Sequence, residues 1–316
     1  MMDLYQYTYD LVKQIPPGKI SSYGAVARAL GDIRASRAVG RMMNQNPDPD
    51  SMPCFKIVQS DGKLGGFGRG VEDKIRRLSE DGINVSDNAI VDFDEVFFDA
   101  FETDFPLKQF RQTQIDLSKE LDFSHMISES EVQYVTGFDV AYPFDDDWKM
   151  SCGACVTMDY QTGEIVEEKT LFLDTRFPYI PTFLSYREQP FIQELIKKLS
   201  VNPSVLLIDG NGILHPFGFG LACHIGVIVQ KPSIGVAKSL LCGKQQEDNR
   251  ILNNDTIAGY AFYANARVKK PAFISQGNMI SLDTAISIVE KMSSHKQPEP
   301  LRLAHQLATE TLRKDP

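Results

Sequence analysis

Val205-Leu206-Leu207-Ile208-Asp209-Gly210-Asn211-Gly212 decides the fold of this chain. Four consecutive apolar residues closed by an acid and a Gly-rich turn read as a strand buried on both faces. Such strands belong to sheets covered by helices. Helical spacing surrounds this one: Phe191 to Leu199 before it, Ala222 to Val229 after it. A second buried run follows at Ser233 to Val236, and helices are expected at Leu282 to Met292 and Leu301 to Leu312. Upstream, Tyr134 to Val140, Ala154 to Tyr160 and Glu164 to Leu171 alternate like antiparallel strands, after a helix at Gln109 to Leu121. A late strand pair is expected from Thr256. The pattern predicts a mixed α/β sheet over residues 106–316.

The first part of the chain reads differently. Tyr5, Tyr9, Val12 and Ile15 keep helical spacing until Pro16-Pro17-Gly18. Ser21-Ser22-Tyr23 can cap a second helix that Gly31 ends, and Ala35 to Met43 reads as a third. Two short helices around a tight turn suggest a helix-turn-helix. Ile83 to Phe98 alternates like a short hairpin. The expectation is a mainly α, winged helix-turn-helix-like domain over 1–98, an acidic linker over 99–105, and the α/β domain over 106–316.

Length and charge agree with this division. At 316 residues the chain suggests about two domains. The net charge of −9 is uneven. Residues 1–85 hold 12 Lys and Arg against 10 Asp and Glu; residues 86–105 hold none against seven. Whole-chain acidity therefore does not exclude a nucleic acid, which responds to a local basic face. No apolar run approaches the ~18 residues of a membrane helix, so no membrane partner is expected. Five cysteines in a long chain argue for a reducing, cytoplasmic setting rather than a disulfide framework. Cys152 and Cys155 have no second CxxC to complete a zinc site, so they read as structural thiols.

Three acids close apolar runs: Asp139 after Val135-Thr136-Gly137-Phe138, Asp209 after Ile208, and Glu188 at the end of Phe177 to Arg187. An Asp after a strand often only caps the next element. Carboxylates converging at strand ends, however, repel one another unless a hard cation neutralises them, and Mg2+ takes such oxygen ligands. His305 could complete the group as ligand or proton shuttle. His215 and His224 flank a glycine-rich turn and read as structural or substrate-positioning.

These acids lie in longer motifs: GFDVAY (137–142), FPYIP…REQP (177–190), DGNGILHP (209–216), GLACHIGV (220–227), PSIGVAKSLL (232–241) and PEPLRLAH (298–305). In that order they resemble endonuclease V, a repair nuclease of the RNase H-like fold. The resemblance implies nicking at the second phosphodiester bond 3′ of deaminated bases, hypoxanthine above all. It implies Asp139, Glu188 and Asp209 as catalytic carboxylates that bind Mg2+, with Mn2+ as a substitute ion, and His305 as the catalytic histidine. Tyr179 would be the wedge beside the flipped base, Gly210 and Gly212 would allow close approach to it, and Lys238 would hold a phosphate. Some relatives prefer RNA, so inosine RNA stands as an alternative substrate. Two positions depart from the family: Thr182 stands where Gly is usual, and Phe217 where Arg is usual.

In the first part, Ser21-Ser22-Tyr23-Gly24, Ser36-Arg37-Ala38-Val39-Gly40, Asn46-Pro47, Pro53-Cys54 and Asp61-Gly62-Lys63-Leu64-Gly65-Gly66 occur in order. They resemble the active-site domain of O6-alkylguanine-DNA alkyltransferase and its non-catalytic relatives. The resemblance implies Cys54 as the irreversible alkyl acceptor. Arg37 would fill the gap left by the flipped guanine, Tyr23 would contact the 3′ phosphate, and Asn46 would brace the turn. The family continues with His after Cys, but here the residue is Phe55, followed by Lys56. Phe55 cannot lower a thiol pKa. Asp81 stands at the family's supporting Glu, from which a water could reach Cys54. Retention of Cys54 favours weakened transfer over a lesion sensor that recruits the nuclease, and the sensor is the alternative. Damaged DNA, alkylated or deaminated, is the expected partner, with no obligatory protein partner.

Overall fold

The computed structural model describes residues 2–143, 150–265 and 269–314. The chain divides into two compact units: Met1–Gln112 with Arg176–Pro181, and Thr113–Thr175 with Thr182–Pro316. The division differs from the one drawn on composition. Residues 99–105 belong to the first unit, where Thr103 Oγ1 donates to the Ala29 carbonyl at 2.6 Å and Gln14 Nε2 to that of Glu102 at 3.0 Å. Arg176–Pro181 joins it through contacts distant in sequence, such as Leu4 N–H to the Arg176 carbonyl at 3.0 Å.

In the first unit, α1 (Leu4–Lys13) is capped by the Asp3 side chain. Strand β1 (Ser21–Ser22) leads into α2 (Tyr23–Leu30), where Ser22 accepts from the Ala25 amide. Gly31, at φ 107°, ends α2 in the left-handed region that a side chain would strain. A 3-10 turn then enters α3 (Ser36–Asn44), completing the helix-turn-helix. A second 3-10 turn, Cys54–Lys56, precedes β2 (Ile57–Val58), which pairs parallel with β1. After α4 (Val71–Glu80), β3 (Val85–Ser86) and β4 (Ala89–Ile90) form the small hairpin, turning through Asp87 and Asn88 at positive φ. A one-turn α5 (Phe93–Val96) and α6 (Pro106–Ser118) follow.

The second unit is built on a nine-stranded mixed sheet. Strands β5 (Tyr134–Ala141), β6 (Met150–Asp159) and β7 (Ile165–Asp174) form an antiparallel meander. Helix α7 (Leu184–Lys198) leads to β8 (Val205–Ile208), and α8 (Leu221–Val229) leads to β9 (Ser233–Ala237). Strands β5, β8 and β9 run parallel side by side. Beyond β9 lie β10 (Lys244–Gln245), β11 (Arg250–Asn253), β12 (Thr256–Phe262) and β13 (Ala272–Gln276), then α9 (Leu282–Lys291) and α10 (Glu299–Lys314).

The quoted run behaves as its composition demands. All four residues of β8 are buried, and they alternate between two cores. Val205 and Leu207 join Ala285, Ile288, Leu301 and Ala304 of α9 and α10. Leu206 and Ile208 join Phe191, Leu195, Leu221 and Ile225 of α7 and α8. At about 0.8 kcal/mol per buried CH₂, these two layers are a large part of what holds the unit together. No helix among the described residues is long and apolar enough to cross a membrane.

Candidate active sites

Register brings two of the three acids together. Phe138 of β5 pairs with Ile208 of β8, so the next residues, Asp139 and Asp209, stand side by side on parallel neighbours. Asp139 is not at the strand end expected for it; β5 runs two residues further, and Asp139 pairs with Ala154 of β6. Helix α10 packs across β5. It comes so close at Gly137 that a methyl group there would collide with the Pro300 carbonyl and the Leu301 amide. This contact sets His305, one and a half turns along α10, against Asp139: its Nδ1 donates to Asp139 Oδ2 at 2.8 Å. That bond fixes the tautomer and leaves Nε2 outward. It also raises the His305 pKa.

Lys238, just past β9, pairs with Asp209. Burial, then the charge of Asp139, push Asp209 up to about 6, and Lys238 opposes the rise. Glu188 is also pushed well above its usual value, first by desolvation, then by Asp139 and Asp209. Glu188 sits in the second turn of α7, a helix rather than a strand end, and Tyr142 donates to its Oε1 at 3.4 Å. Arg187 stacks over the Tyr142 ring with its guanidinium carbon 3.8 Å from the centroid. These two residues flank Glu188; they lie inside the quoted motifs, yet spacing alone assigned them no role.

Among the described residues, no three His, Cys, Asp or Glu side chains form a ready metal cluster. The three acids nonetheless act on one another, the charges of Asp139 and Asp209 both raising Glu188, and each also has a partner of its own, His305, Lys238 or Tyr142. The donors themselves suit a hard divalent cation. They are carboxylate oxygens whose charges disfavour one another until positive charge arrives.

Around this group, Gly212 has no room for a side chain because the Gln276 backbone fills that space, so its small size serves the protein's own packing. A methyl group at Gly210 would meet the Leu221 and Leu184 side chains at ordinary contact distance. His215 is buried, its Nδ1 accepting from the Phe217 amide at 3.3 Å. His224 lies edge-on to Tyr186, and burial pulls its pKa down to about 4, so it is neutral. In the first unit, Phe177 and Ile180 are buried while Tyr179 between them is 53% exposed. Cys152 and Cys155 are buried free thiols.

The first unit gathers Tyr23, Asn46 and Cys54. Cys54 is 4% exposed. Asn46 Nδ2 donates to its sulfur at 3.1 Å and to the Met52 carbonyl at 3.0 Å. The Tyr23 ring lies beside Gly40 and its hydroxyl beside Gly65. Arg37 is exposed on α3. Burial raises the Cys54 pKa; the Asn46 hydrogen bond, Lys74 and Arg77 oppose the rise. Asp81 is not free to serve Cys54. Its Oδ2 holds Lys56 Nζ at 2.8 Å and the Gly18 amide at 3.0 Å, because Lys56, buried, needs an anion. Sequence reasoning missed Lys74, which lies in α4 without any local signal.

The family described as Endonuclease V matches residues 115–306, and the 6-O-methylguanine DNA methyltransferase DNA-binding domain matches residues 3–83. A bifunctional methyltransferase/endonuclease of Picrophilus torridus is 38% identical over 308 residues, covering 96% of this chain and 95% of that protein. The chain belongs to the bifunctional methyltransferase/endonuclease family. The Thermoplasma volcanium relative is 37% identical over 96% of this chain and 89% of its own length. Among solved structures, the human Endonuclease V catalytic domain is 29% identical, with a TM-score of 0.61 over 67% of this chain and 98% of that one. Ciona intestinalis Endonuclease V, solved with DNA containing an inosine followed by a ribo-adenosine, is 29% identical, with a TM-score of 0.61 over 67% and 99%. The family architecture is therefore an alkyltransferase-type helical DNA-binding domain followed by an RNase H-like nuclease domain, and endonuclease V enzymes generally use a divalent metal ion.

Proposed function

We propose that this protein repairs two lesions: it moves alkyl groups from O6-alkylguanine to Cys54, and it nicks DNA 3′ of deaminated bases, hypoxanthine first, with Mg2+. The observation that carries the nuclease half is the side-by-side placement of Asp139 and Asp209, with His305 on one and Lys238 on the other.

Asp139, Asp209 and Glu188 would hold the ion. When bound, it supplies Lewis acidity and charge neutralisation at the reacting phosphate. The chain's own residues do the rest. His305, oriented by Asp139, presents Nε2 to hold or move a proton. Lys238, paired with Asp209 in the fold, would hold a phosphate oxygen. Exposed Tyr179, held between buried Phe177 and Ile180, offers a face on which a base can stack as the lesion is flipped.

In the first unit, Asn46 aims a hydrogen bond at the Cys54 sulfur, which favours chemistry over lesion sensing. Arg37 on the exposed face of α3 would enter the duplex, with Tyr23 nearby for the phosphate.

One preparation assayed on O6-methylguanine DNA, inosine DNA and inosine RNA tests the reading. Methyl uptake lost in Cys54→Ala, and inosine-DNA nicking lost in Asp209→Ala but kept in Cys54→Ala, support it. No methyl uptake by the unmutated protein would leave the lesion sensor. Cleavage of inosine RNA alone would move the nuclease half to RNA.

A further inference from the structure

Phe217 holds its ring in water, 39% exposed, on a loop that is firmly tied. The Gly220 amide donates to the Gly212 carbonyl at 3.0 Å, which closes residues 213–219 into a loop based on the turn after Asp209. Leu214 and Phe219 anchor the loop in the core. Within it, the Gly218 amide donates to the His215 carbonyl at 2.8 Å and the Phe217 amide to His215 Nδ1 at 3.3 Å. From β11, Asn253 Nδ2 donates to the same carbonyl at 3.3 Å. A single exposed ring is ordinary on a protein surface. The neighbourhood of this one is not. Strand β10 pairs Lys244 with Leu252, next to Asn253, and the chain reaches β10 through Lys238, Leu240 and Leu241. Lys238 is paired with Asp209 and half its side chain is in water; both leucines are exposed. The Phe217 loop and the Lys238 segment thus both start at Asp209, one through the chain and one through the ion pair, and come together again at β11.

The surface beside the carboxylates therefore offers one cation and then apolar side chains. Phe217 has no donor for a phosphate, although it stands where Arg is usual in the family pattern. What it offers is a ring face, and every base has a π-face to lay on it, whatever the sequence. A base inside a duplex is already stacked on both sides, so only an unpaired base can use the ring. We propose that Phe217 is a stacking platform for an unpaired base of the DNA strand held at the nuclease site, with Leu240 and Leu241 as flanking apolar surface. This deepens the nuclease reading and rests on it. The substrate class it names is deaminated DNA that is single-stranded or unpaired around the lesion. Exchanging a guanidinium for a ring also removes one counterion-releasing contact, so the grip on DNA at this loop is insensitive to salt.

The test reads the ring separately from the cutting. Binding of the full chain to fluorescein-labelled inosine oligonucleotides, single-stranded or fully duplex, is followed by anisotropy in EDTA, so that nothing is cut. Phe217→Ala should weaken single-strand binding about tenfold and duplex binding by less than about twofold, while Phe217→Trp keeps the single-strand affinity. Phe217→Arg should steepen the log–log salt dependence of single-strand binding by about 0.7, the share of one phosphate contact. Equal loss on both substrates in Phe217→Ala, or no loss, overturns the proposal. 2-Aminopurine placed at each position flanking the inosine gives a second readout. Its fluorescence should be quenched at one position by the unmutated protein and by Phe217→Trp, and recover in Phe217→Ala. Quenching that persists in Phe217→Ala overturns the proposal. If that variant loses its cooperative urea transition, Phe217→Leu, apolar but without a ring, takes its place with the same outcomes. An unmutated protein that binds inosine strands no tighter than guanine strands, and nicks neither when Mg2+ is supplied, faults the nuclease reading instead.

Discussion

His305 Nδ1 donates to Asp139 Oδ2 at 2.8 Å across 166 positions of sequence, joining a surface helix to the central sheet. The bond makes stability and chemistry depend on pH together. The His305 pKa is raised, chiefly by this bond. A histidine with a raised folded pKa contributes stability that is fully present below its unfolded value of about 6.5 and is lost as pH rises through the folded value. Urea midpoints of the unmutated protein should therefore fall from pH 6 upward more steeply than those of His305→Gln. Parallel curves would sink the pairing.

Asp209 predicts the opposite partner, a cation. Its folded pKa of about 6 lies above the unfolded value. A raised carboxyl holds a proton in the fold, so its contribution to stability shrinks as pH climbs from about 4 to 6. Divalent ions should reverse this. Added Mg2+ should raise Tm more at pH 7.5 than at pH 5, where protons compete for the same oxygens. Asp209→Asn should abolish most of the difference, as calorimetry would read. Equal shifts at both pH values would place the ion elsewhere.

Gly137 is predicted to be intolerant of a side chain. A methyl group there meets the Pro300 and Leu301 backbone, which cannot rotate away. Gly137→Ala should cost about 3 kcal/mol or more and should move α10 off β5, separating His305 from Asp139. Nicking should drop far below the unmutated rate while methyl uptake at Cys54 persists. Normal nicking with an unchanged urea midpoint would contradict the close approach.

Thr182 occupies a glycine position in the family pattern and pays for it in backbone: its φ is 73°. A β-branched residue in that region is strained by about 1–2 kcal/mol. Replacing it with Gly relieves the strain, at some cost in chain entropy and packing. Thr182→Gly should raise stability by about 0.5–1 kcal/mol, measured by urea unfolding. A loss of stability would show that the Thr182 side-chain contacts outweigh the strain.

Local pattern alone determined much of this protein. The apolar run Val205–Ile208, the capping Ser22, the terminating Gly31 and the ordered motifs each act through neighbours in the chain, so sequence shows the helix-turn-helix, the buried parallel strands and the carboxylates. What tertiary structure decided is which distant groups meet. Register placed Asp139 within β5 and beside Asp209. Glu188 fell on a helix, and the three acids took separate partners. Asp81 went to Lys56, and buried Lys74 was left on the cysteine turn. Charge acts through space and desolvation, neither of which spacing along a chain records. Pairing choices among buried ions are therefore made only once the core has closed around them.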